Sequence, residues 1–569
     1  MKLLGRRNKN FSLTDGDGSI AGVHENDMLT RLVLVLGIFV ICFSVLAVRL
    51  VNLSMLGEGS GHVNVAAAVN IIPARPDIFD RNGEMMATDI TVASLYADAR
   101  KIIDSDEAAD EIGAVLPGIN TVSLRKKLSS NRAFVWIKRE VTPRQKASIY
   151  NLGLPGLFFV NETRRVYPKG RAAAHIIGHV NIDNRGIAGI EKYIDRMQKT
   201  GLKNKNDIKP EPIYLSVDLR VQHALADELA RAKDEHKAIA AAGIVLDVQS
   251  GEVVAMVSLP DYDPNSPAQA LEKVRLNRNT AGVYELGSTF KAFTAAMVLD
   301  SGAASMSTRY DARKPIKISR FTIRDFHGQR RLLSVPEVFI YSSNIGAAKM
   351  AMDVGLDAHQ KFLKRLGLLD RLVTELPENR KPLMPKKWKP INSMTISYGH
   401  GLSVAPLQMA SAAAALMNGG RLINPTFLRR SSVAAFLDST QVIKPKTSRM
   451  MRELMRLNAV RGTAKRADVP GYRVGGKTGT AEKVVNGKYV DDLLLTTFVG
   501  VFPTDAPEYV VFVMFDEPKG SEATHGYATA GWNAAPTTGK IIKRIAPMLG
   551  VLPRGDQVNP FGEPVMVSY

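Results

Sequence analysis

The sequence predicts an α+β protein on a single transmembrane helix: a β-rich segment comes next, then a larger domain with an antiparallel sheet packed by helices. Three observations carry this reading. Leu32 to Val48 is an uncharged apolar run. From about Ile71 to Lys199, short β-rich runs alternate with polar helical stretches. Beyond that, strands at both ends enclose a helical middle, the pattern of a sheet covered by helices. At 569 residues, 45% apolar and 23% charged, the chain has the composition of a folded protein with cores, which excludes a largely disordered or polytopic chain.

The elements follow in order. Arg31 and Arg49 bound the apolar run, and Leu50 and Val51 extend it to the roughly 20 residues a bilayer core requires, so the anchor is set at 32–51. Lys2, Arg6, Arg7, Lys9 and Arg31 precede it, whereas only Arg49 follows before Arg75. By the positive-inside bias, residues 1–31 form a cytoplasmic tail and the rest is exported. A cleaved signal peptide is the competing reading. The charged N-terminal region is long for one, and the small-residue candidate Ala66-Ala67-Ala68 lies well past the run. The single cysteine, Cys42, sits inside the span, so no intramolecular disulfide or cysteine-rich zinc site is possible.

Gly57-Glu58-Gly59-Ser60-Gly61 reads as a flexible spacer. Residues 52–212 are assigned to a β-rich domain containing Ala133-Phe134-Val135-Trp136-Ile137, closed by a polar segment at 203–212 that two prolines break. Residues 213–569 form the larger domain. Val217 to Lys233 has helical spacing, with Val221, Leu225 and Leu229 as its stripe. Ala242–Val248 and Val253–Val257 flank Gln249-Ser250-Gly251-Glu252 as a hairpin. Further strands are expected at Thr497–Val501 and Tyr509–Phe515, with helix at Ala410–Met417.

Three short motifs carry chemistry: Ser288-Thr289-Phe290-Lys291 (S-x-x-K), Ser342-Ser343-Asn344 (S-x-N) and Lys477-Thr478-Gly479-Thr480 (K-T-G-T). Each is weak alone. Ser123-Leu124-Arg125-Lys126, Ser129-Ser130-Asn131 and Lys199-Thr200-Gly201 form a second set in the same order. Physical context selects the later set. Ser288 precedes the apolar helix Ala292–Leu299, and a spacing of three puts serine and lysine on one helical face. The earlier set lies in charged, polar sequence, with its first two motifs crowded into one local stretch. Lys477 to Thr480 reads as part of a strand.

The set points to acyl transfer through a serine ester. A serine hydroxyl attacks well only when a neighbour takes its proton. Lys291 can do so when neutral, and burial beside Lys477 would push its pKa down. Ser342 can relay a proton to the leaving amine, and Asn344 can orient a peptide substrate. Thr478 and Thr480 offer hydroxyls to a carboxylate beside Lys477, while Gly479 would let the strand approach substrate closely. The backbone N–H groups of Ser288 and Thr480 are candidates for an oxyanion hole.

With these motifs, the chain resembles the class B penicillin-binding proteins, most of all their division-specific septal branch. Arg75-Pro76-Asp77-Ile78-Phe79-Asp80-Arg81-Asn82-Gly83 is similar to the R-G-x-I-x-D-R-x-G box, with Pro76 where glycine is usual. Arg165–Pro168, Ala174-His175 and Gly186–Glu191 resemble a second signature. Tyr284-Glu285-Leu286-Gly287-Ser288 resembles Y-E-P-G-S, and Gly531–Pro536 resembles a stretch near the family's C-terminus. The resemblance implies an elongated pedestal at 52–212 and a penicillin-binding transpeptidase domain at 213–569. It also implies cross-linking of peptidoglycan stem peptides through Ser288, with β-lactams as inhibitors and no cofactor or metal. Its setting would be the inner membrane, with division-complex membrane proteins as partners. No glycosyltransferase motif is present, so a separate glycan polymerase would make the strands. An elongation-type enzyme, a β-lactamase or penicillin sensor, and an inactive scaffold are the alternatives. Length and the complete motif set argue against the last two.

His175 and His179 are spaced like a metalloprotease pair, but Ile176 replaces the glutamate, so a structural role is expected. Among His327, His400 and His525, only His400 is a candidate to line the cleft. The net charge of +20 is scattered without aromatic interleaving, so no nucleic-acid partner is expected.

Overall fold

The computed structural model describes residues 22–56, 75–199, 210–318, 321–485 and 487–554. The spacer at 57–61, the alanines at 66–68, most of the tail and of the segment 203–212 lie outside the described residues. Two compact units emerge: one joins the chain up to Ile71 with Ser94–Val160, the other joins Ile72–Ala93 with Asn161 onward.

The first unit contains helix α1 (Gly22–Leu56). Within it, Leu32–Asn52 is long and apolar enough to cross a membrane, with a mean hydropathy of 2.7 and no part of that stretch buried. The unit also holds helices Ser105–Val115, Thr121–Leu128 and Pro143–Asn151, begun by side-chain caps from Asp104, Asn120 and Thr142. These caps satisfy amide groups that a helix start leaves unpaired. Ala108, Ala109, Ile112, Leu124, Leu128 and Ile149 turn inward with Leu95 and Val135.

The second unit is built on a five-stranded sheet: β1 (Ala240–Asp247), β2 (Val253–Leu259), β3 (Gly475–Val485), β4 (Lys488–Phe502) and β5 (Tyr509–Asp516). The order is β3-β4-β5-β1-β2, antiparallel throughout. Alternate residues feed two cores: Ile244, Val510, Phe512 and Met514 on one face, Val245, Val511, Val513 and Phe515 on the other. Helices α2 (Leu219–Glu235) and α7 (Ala534–Met548) close the second face. The first is closed by α3 (Lys291–Ser301), α4 (Asn344–Val354), α5 (Pro406–Met417) and α6 (Pro445–Arg461). Burial of both faces is why the strands read as continuous apolar runs.

The α+β class, the hairpin and the central helices agree with the sequence. The α2 helix starts at Leu219 because Asp218 caps it, accepting from Arg220 N–H at 3.0 Å. Strand β4 begins at Lys488, nine residues before the expected start, because its first part pairs with Lys483–Val485 as an exposed arm without apolar periodicity.

The same unit holds a buried ionic knot joining the two signatures. Arg75 Nε and Arg165 Nε each lie 2.7 Å from an oxygen of Glu191, and Arg165 Nη1 lies 3.1 Å from Asp89. Buried charges persist only when paired this completely.

Candidate active site

Ser288 sits in a 3₁₀ turn, Gly287–Phe290, and α3 starts only at Lys291. Serine and lysine are thus paired across a 3₁₀ turn, not along the α-helix expected, and the tighter turn brings them closer in line. At three residues per turn, positions i and i+3 eclipse. Lys291 Nζ lies 2.9 Å from Ser288 Oγ. Gly287 has φ +55°, and a Cβ there would stand 2.7 Å from Thr480 O, so only glycine lets the turn press against β3.

Lys291 is 2% exposed. Its Nζ lies 2.5 Å from Ser342 O, 3.0 Å from Ser342 Oγ and 2.7 Å from Asn344 Oδ1. A neutral amine has two hydrogens and one lone pair. The carbonyl of Ser342 and the amide oxygen of Asn344 can only accept, so they take the hydrogens and leave the lone pair facing hydroxyls. Burial, reinforced by Lys477, holds the Lys291 pKa well below the usual lysine range.

Ser342 takes up the left-handed region, φ +57°, which a non-glycine residue adopts at a cost. This presents its hydroxyl 3.0 Å from both Lys291 Nζ and Lys477 Nζ. The next residue, Ser343, caps α4 by accepting from Gly346 N–H at 3.0 Å, and its hydroxyl donates to Asp325 at 2.8 Å. Asp325 also accepts from Ile345 N–H at 2.9 Å.

Lys477 is fully buried at the edge of the sheet, and burial pushes its pKa down to about 7. Thr463 and Thr478 share a hydroxyl contact of 2.7 Å, and Asn458 of α6 donates to Gly476 O at 2.7 Å, which fixes the strand. Thr480 Oγ1 accepts from Ala530 N–H at 3.2 Å.

Asn344 gains a role beside the one read from sequence, and the reading of Gly479 changes. The amide of Asn344 also holds Lys291, its Oδ1 lying 2.7 Å from Lys291 Nζ while its Nδ2 donates to Arg324 O at 2.9 Å, and this leaves one N–H and one oxygen lone pair for a substrate. A Cβ at Gly479 would fall 2.3 Å from Leu286 O and 2.4 Å from Thr497 Oγ1. The strand therefore approaches the protein's own chain there.

The two domain models that match this chain are the penicillin-binding protein transpeptidase domain, over residues 241–543, and the penicillin-binding protein dimerisation domain, over 70–207. The chain belongs to the class B penicillin-binding proteins.

This class B penicillin-binding protein is similar to a Caulobacter vibrioides protein named probable peptidoglycan D,D-transpeptidase FtsI, 40% identical over 540 residues that cover 93% of this chain and 90% of the relative. It is similar to one named probable peptidoglycan D,D-transpeptidase PenA from Neisseria meningitidis, 33% identical over 85% of this chain and 86% of the relative. The solved structure of penicillin binding protein 3 from Mycobacterium tuberculosis, complexed with aztreonam, shares the fold with a TM-score of 0.66 at 22% identity, covering 87% of this chain and 99% of that one.

In this penicillin-binding protein, the later motif set converges on one site. Of the earlier set, Ser123 and Lys126 lie exposed on the helix Thr121–Leu128, and Thr200 and Gly201 fall outside the described residues. His175 Nε2 lies 2.8 Å from Arg275 O, and both His175 and His179 pack edge-on against Tyr262. His400 lies between Tyr398 and Tyr489, its pKa pushed down to about 4 by burial and by Lys291. Asp325 and Thr463 escaped sequence reading because neither stands in a recognisable pattern. The only sign of Asp325 is its place in a polar loop upstream of the S-x-N motif.

Proposed function

We propose that this chain is a serine D,D-transpeptidase that cross-links peptidoglycan stem peptides through an acyl-enzyme at Ser288. The observation that carries the reading is the buried Lys291 Nζ, 2.9 Å from Ser288 Oγ and held by two pure acceptors, Ser342 O at 2.5 Å and Asn344 Oδ1 at 2.7 Å, which leaves the lone pair of a neutral amine for the Ser288 hydroxyl. In this mechanism Lys291 takes the Ser288 proton as Oγ attacks the carbonyl of the penultimate D-alanine. The peptide C–N bond then breaks, and the departing amine of the terminal D-alanine receives a proton through Ser342, which bridges Lys291 and Lys477. An amine of a second stem peptide attacks the ester, forms the cross-link and returns the proton to Ser288. Lys477, with the hydroxyls of Thr478 and Thr480, receives the substrate carboxylate, and the N–H groups of Ser288 and Thr480 face the developing oxyanion.

Likeness to the FtsI protein of Caulobacter vibrioides over 93% of this chain supports a septal role. The apolar helix at 32–52, with the basic residues before it, supports a single-pass anchor in the inner membrane with its N-terminus in the cytoplasm. Domain limits of 52–212 and 213–569 for pedestal and transpeptidase fit this topology. β-Lactams, whose ring carbonyl occupies the place of the scissile amide, acylate the same serine. Strand polymerisation falls to a separate glycan polymerase in the division complex.

The test is labelling with a fluorescent penicillin followed by peptide mapping. The label is expected on Ser288, abolished in Ser288→Ala and retained in Ser123→Ala. A label that follows Ser123 would overturn the assignment.

A further inference from the structure

The 3₁₀ turn carrying Ser288 has no side-chain cap, and α3 behind it has none either. Its position must be set by what surrounds it. On one side Gly399, at φ +90°, is pressed so closely on Gly287 that an added Cβ would overlap the Gly287 carbonyl. That loop is tethered from below by Thr294 of α3, which donates to Ser397 O at 2.7 Å. Against the same loop stands the exposed arm, Lys483–Val485 paired with Lys488–Val490. A register break at Glu482/Lys483, with Glu482 opposite Leu494 and Lys483 opposite Val490, sets the arm off from the main sheet.

One side chain joins the two. Glu285, three residues before Ser288, accepts from Gly401 N–H at 2.9 Å through Oε1 and from the Tyr489 hydroxyl at 3.0 Å through Oε2. The residue before it, Tyr284, is fixed by a bridge to Val404, with hydrogen bonds of 3.0 Å in both directions. His400 fills the space between, with ring centroids 5.4 Å from Tyr398 and 5.5 Å from Tyr489. Tyr489 is half exposed, so this contact at the end of the arm has no core packing to hold it.

We infer that Glu285 is a positioning residue for the nucleophile turn, clamping the Gly399–Gly401 loop and, through Tyr489, the exposed arm to the segment that leads into Ser288. The clamp acts on the attack geometry: without it the loop is free to lift from Gly287, and Ser288 shifts relative to Lys291 and Thr480. A displacement of about 1 Å at a nucleophile can cost ~10²-fold in rate. The inference rests on Ser288 being the acylated residue. Failure of that reading would show in the wild-type label map before any variant is compared.

The experiment is stopped-flow acylation of the full-length, detergent-solubilised protein by a fluorescent penicillin, resolving the acylation constant k2 from the binding constant. Glu285→Ala is expected to lower k2 by ~10–100-fold with little change in binding. Glu285→Gln should stay within about threefold, since its amide oxygen can accept from Gly401 while its NH₂ donates to the phenol oxygen. Tyr489→Phe should slow k2 severalfold, and the Ala/Phe double variant should be no slower than Glu285→Ala alone, because both remove one clamp. Wild-type k2 in Glu285→Ala, equal loss in Glu285→Gln, or additive losses in the double variant would overturn the inference. Should Glu285→Ala not fold, Tyr489→Phe decides: a severalfold fall in k2 supports the clamp, and an unchanged k2 overturns it.

Discussion

Replacing Lys477 by arginine isolates what its charge contributes. The ammonium is fully buried and its pKa lies at about 7, so the free enzyme loses this positive charge as pH rises through neutrality. Lys291 has the opposite requirement, since it must be neutral, and its pKa is held well below the usual range. If Lys477 receives the ligand carboxylate as a cation, k2/K must fall on the alkaline side with a midpoint near the Lys477 pKa. Each pH unit above that pKa removes tenfold of the charged form, so the fall reaches ~10²-fold by about pH 9. A guanidinium stays protonated to beyond about pH 12, so Lys477→Arg should lose the descending limb. Its absolute rate should be lower, because a planar fork cannot reproduce the contacts at 3.0 Å to Ser342 Oγ and 3.1 Å to Thr478 O. Stopped-flow acylation of both proteins between about pH 6 and 9 measures this directly. A wild-type profile flat to the alkaline end, or the same decline in the arginine variant, would refute the reasoning.

Two further outcomes are expected. Gly479→Ala should lose nearly all acylation and melt earlier, because its Cβ would meet the backbone oxygen of Leu286 at 2.3 Å, and a carbonyl cannot swing aside as a flexible side chain can; labelling and a thermal melt of the same preparation check it. The penicilloyl-enzyme should be long-lived, with release far slower than formation in a chase with unlabelled drug; rapid multiple turnover would instead favour a hydrolase.

What the sequence made legible was whatever has a short period or a fixed spacing. The apolar run at 32–51, the stripe Val221-Leu225-Leu229 and the apolar strands each declare themselves because burial is written in residue type. The S-x-x-K, S-x-N and K-T-G-T motifs were separable from their duplicates because only one set had apolar surroundings to hold it rigid. The 3₁₀ turn at Gly287–Phe290 was not legible, since its geometry follows from Gly287 lodging against Thr480 and Gly399, a tertiary constraint. The true neighbour of Gly479 was equally hidden, as glycine shows that something comes close without saying what. Asp325 is brought to Ser343 across the strand Leu332–Ser334 and the helix Val335–Ile340, a tertiary return that no local pattern fixes, and the arm's apolar residues Val484, Val485, Tyr489 and Val490 show no alternation that marks a buried face.

The carboxylates nearest the reacting groups say why an ester at Ser288 would wait for an amine. A hydrolase needs a base free to activate water against the ester. Asp325 is the acidic residue folded closest to the S-x-N motif, yet one of its oxygens accepts from Ser343 Oγ and the other from Ile345 N–H, so both hold the start of α4. Glu285 is engaged in the same way, one oxygen on Gly401 and the other on Tyr489. Protonating either carboxylate, as a general base for water must be, would weaken a contact that shapes the site. Lys291 is the base that remains, and it sits against the oxygen that has become the ester. An incoming amine is a far better nucleophile than water and needs only that one base to accept its proton as it attacks. On the proposed mechanism, the arrangement that activates Ser288 toward a peptide thus favours an amine over water as the group that attacks the ester.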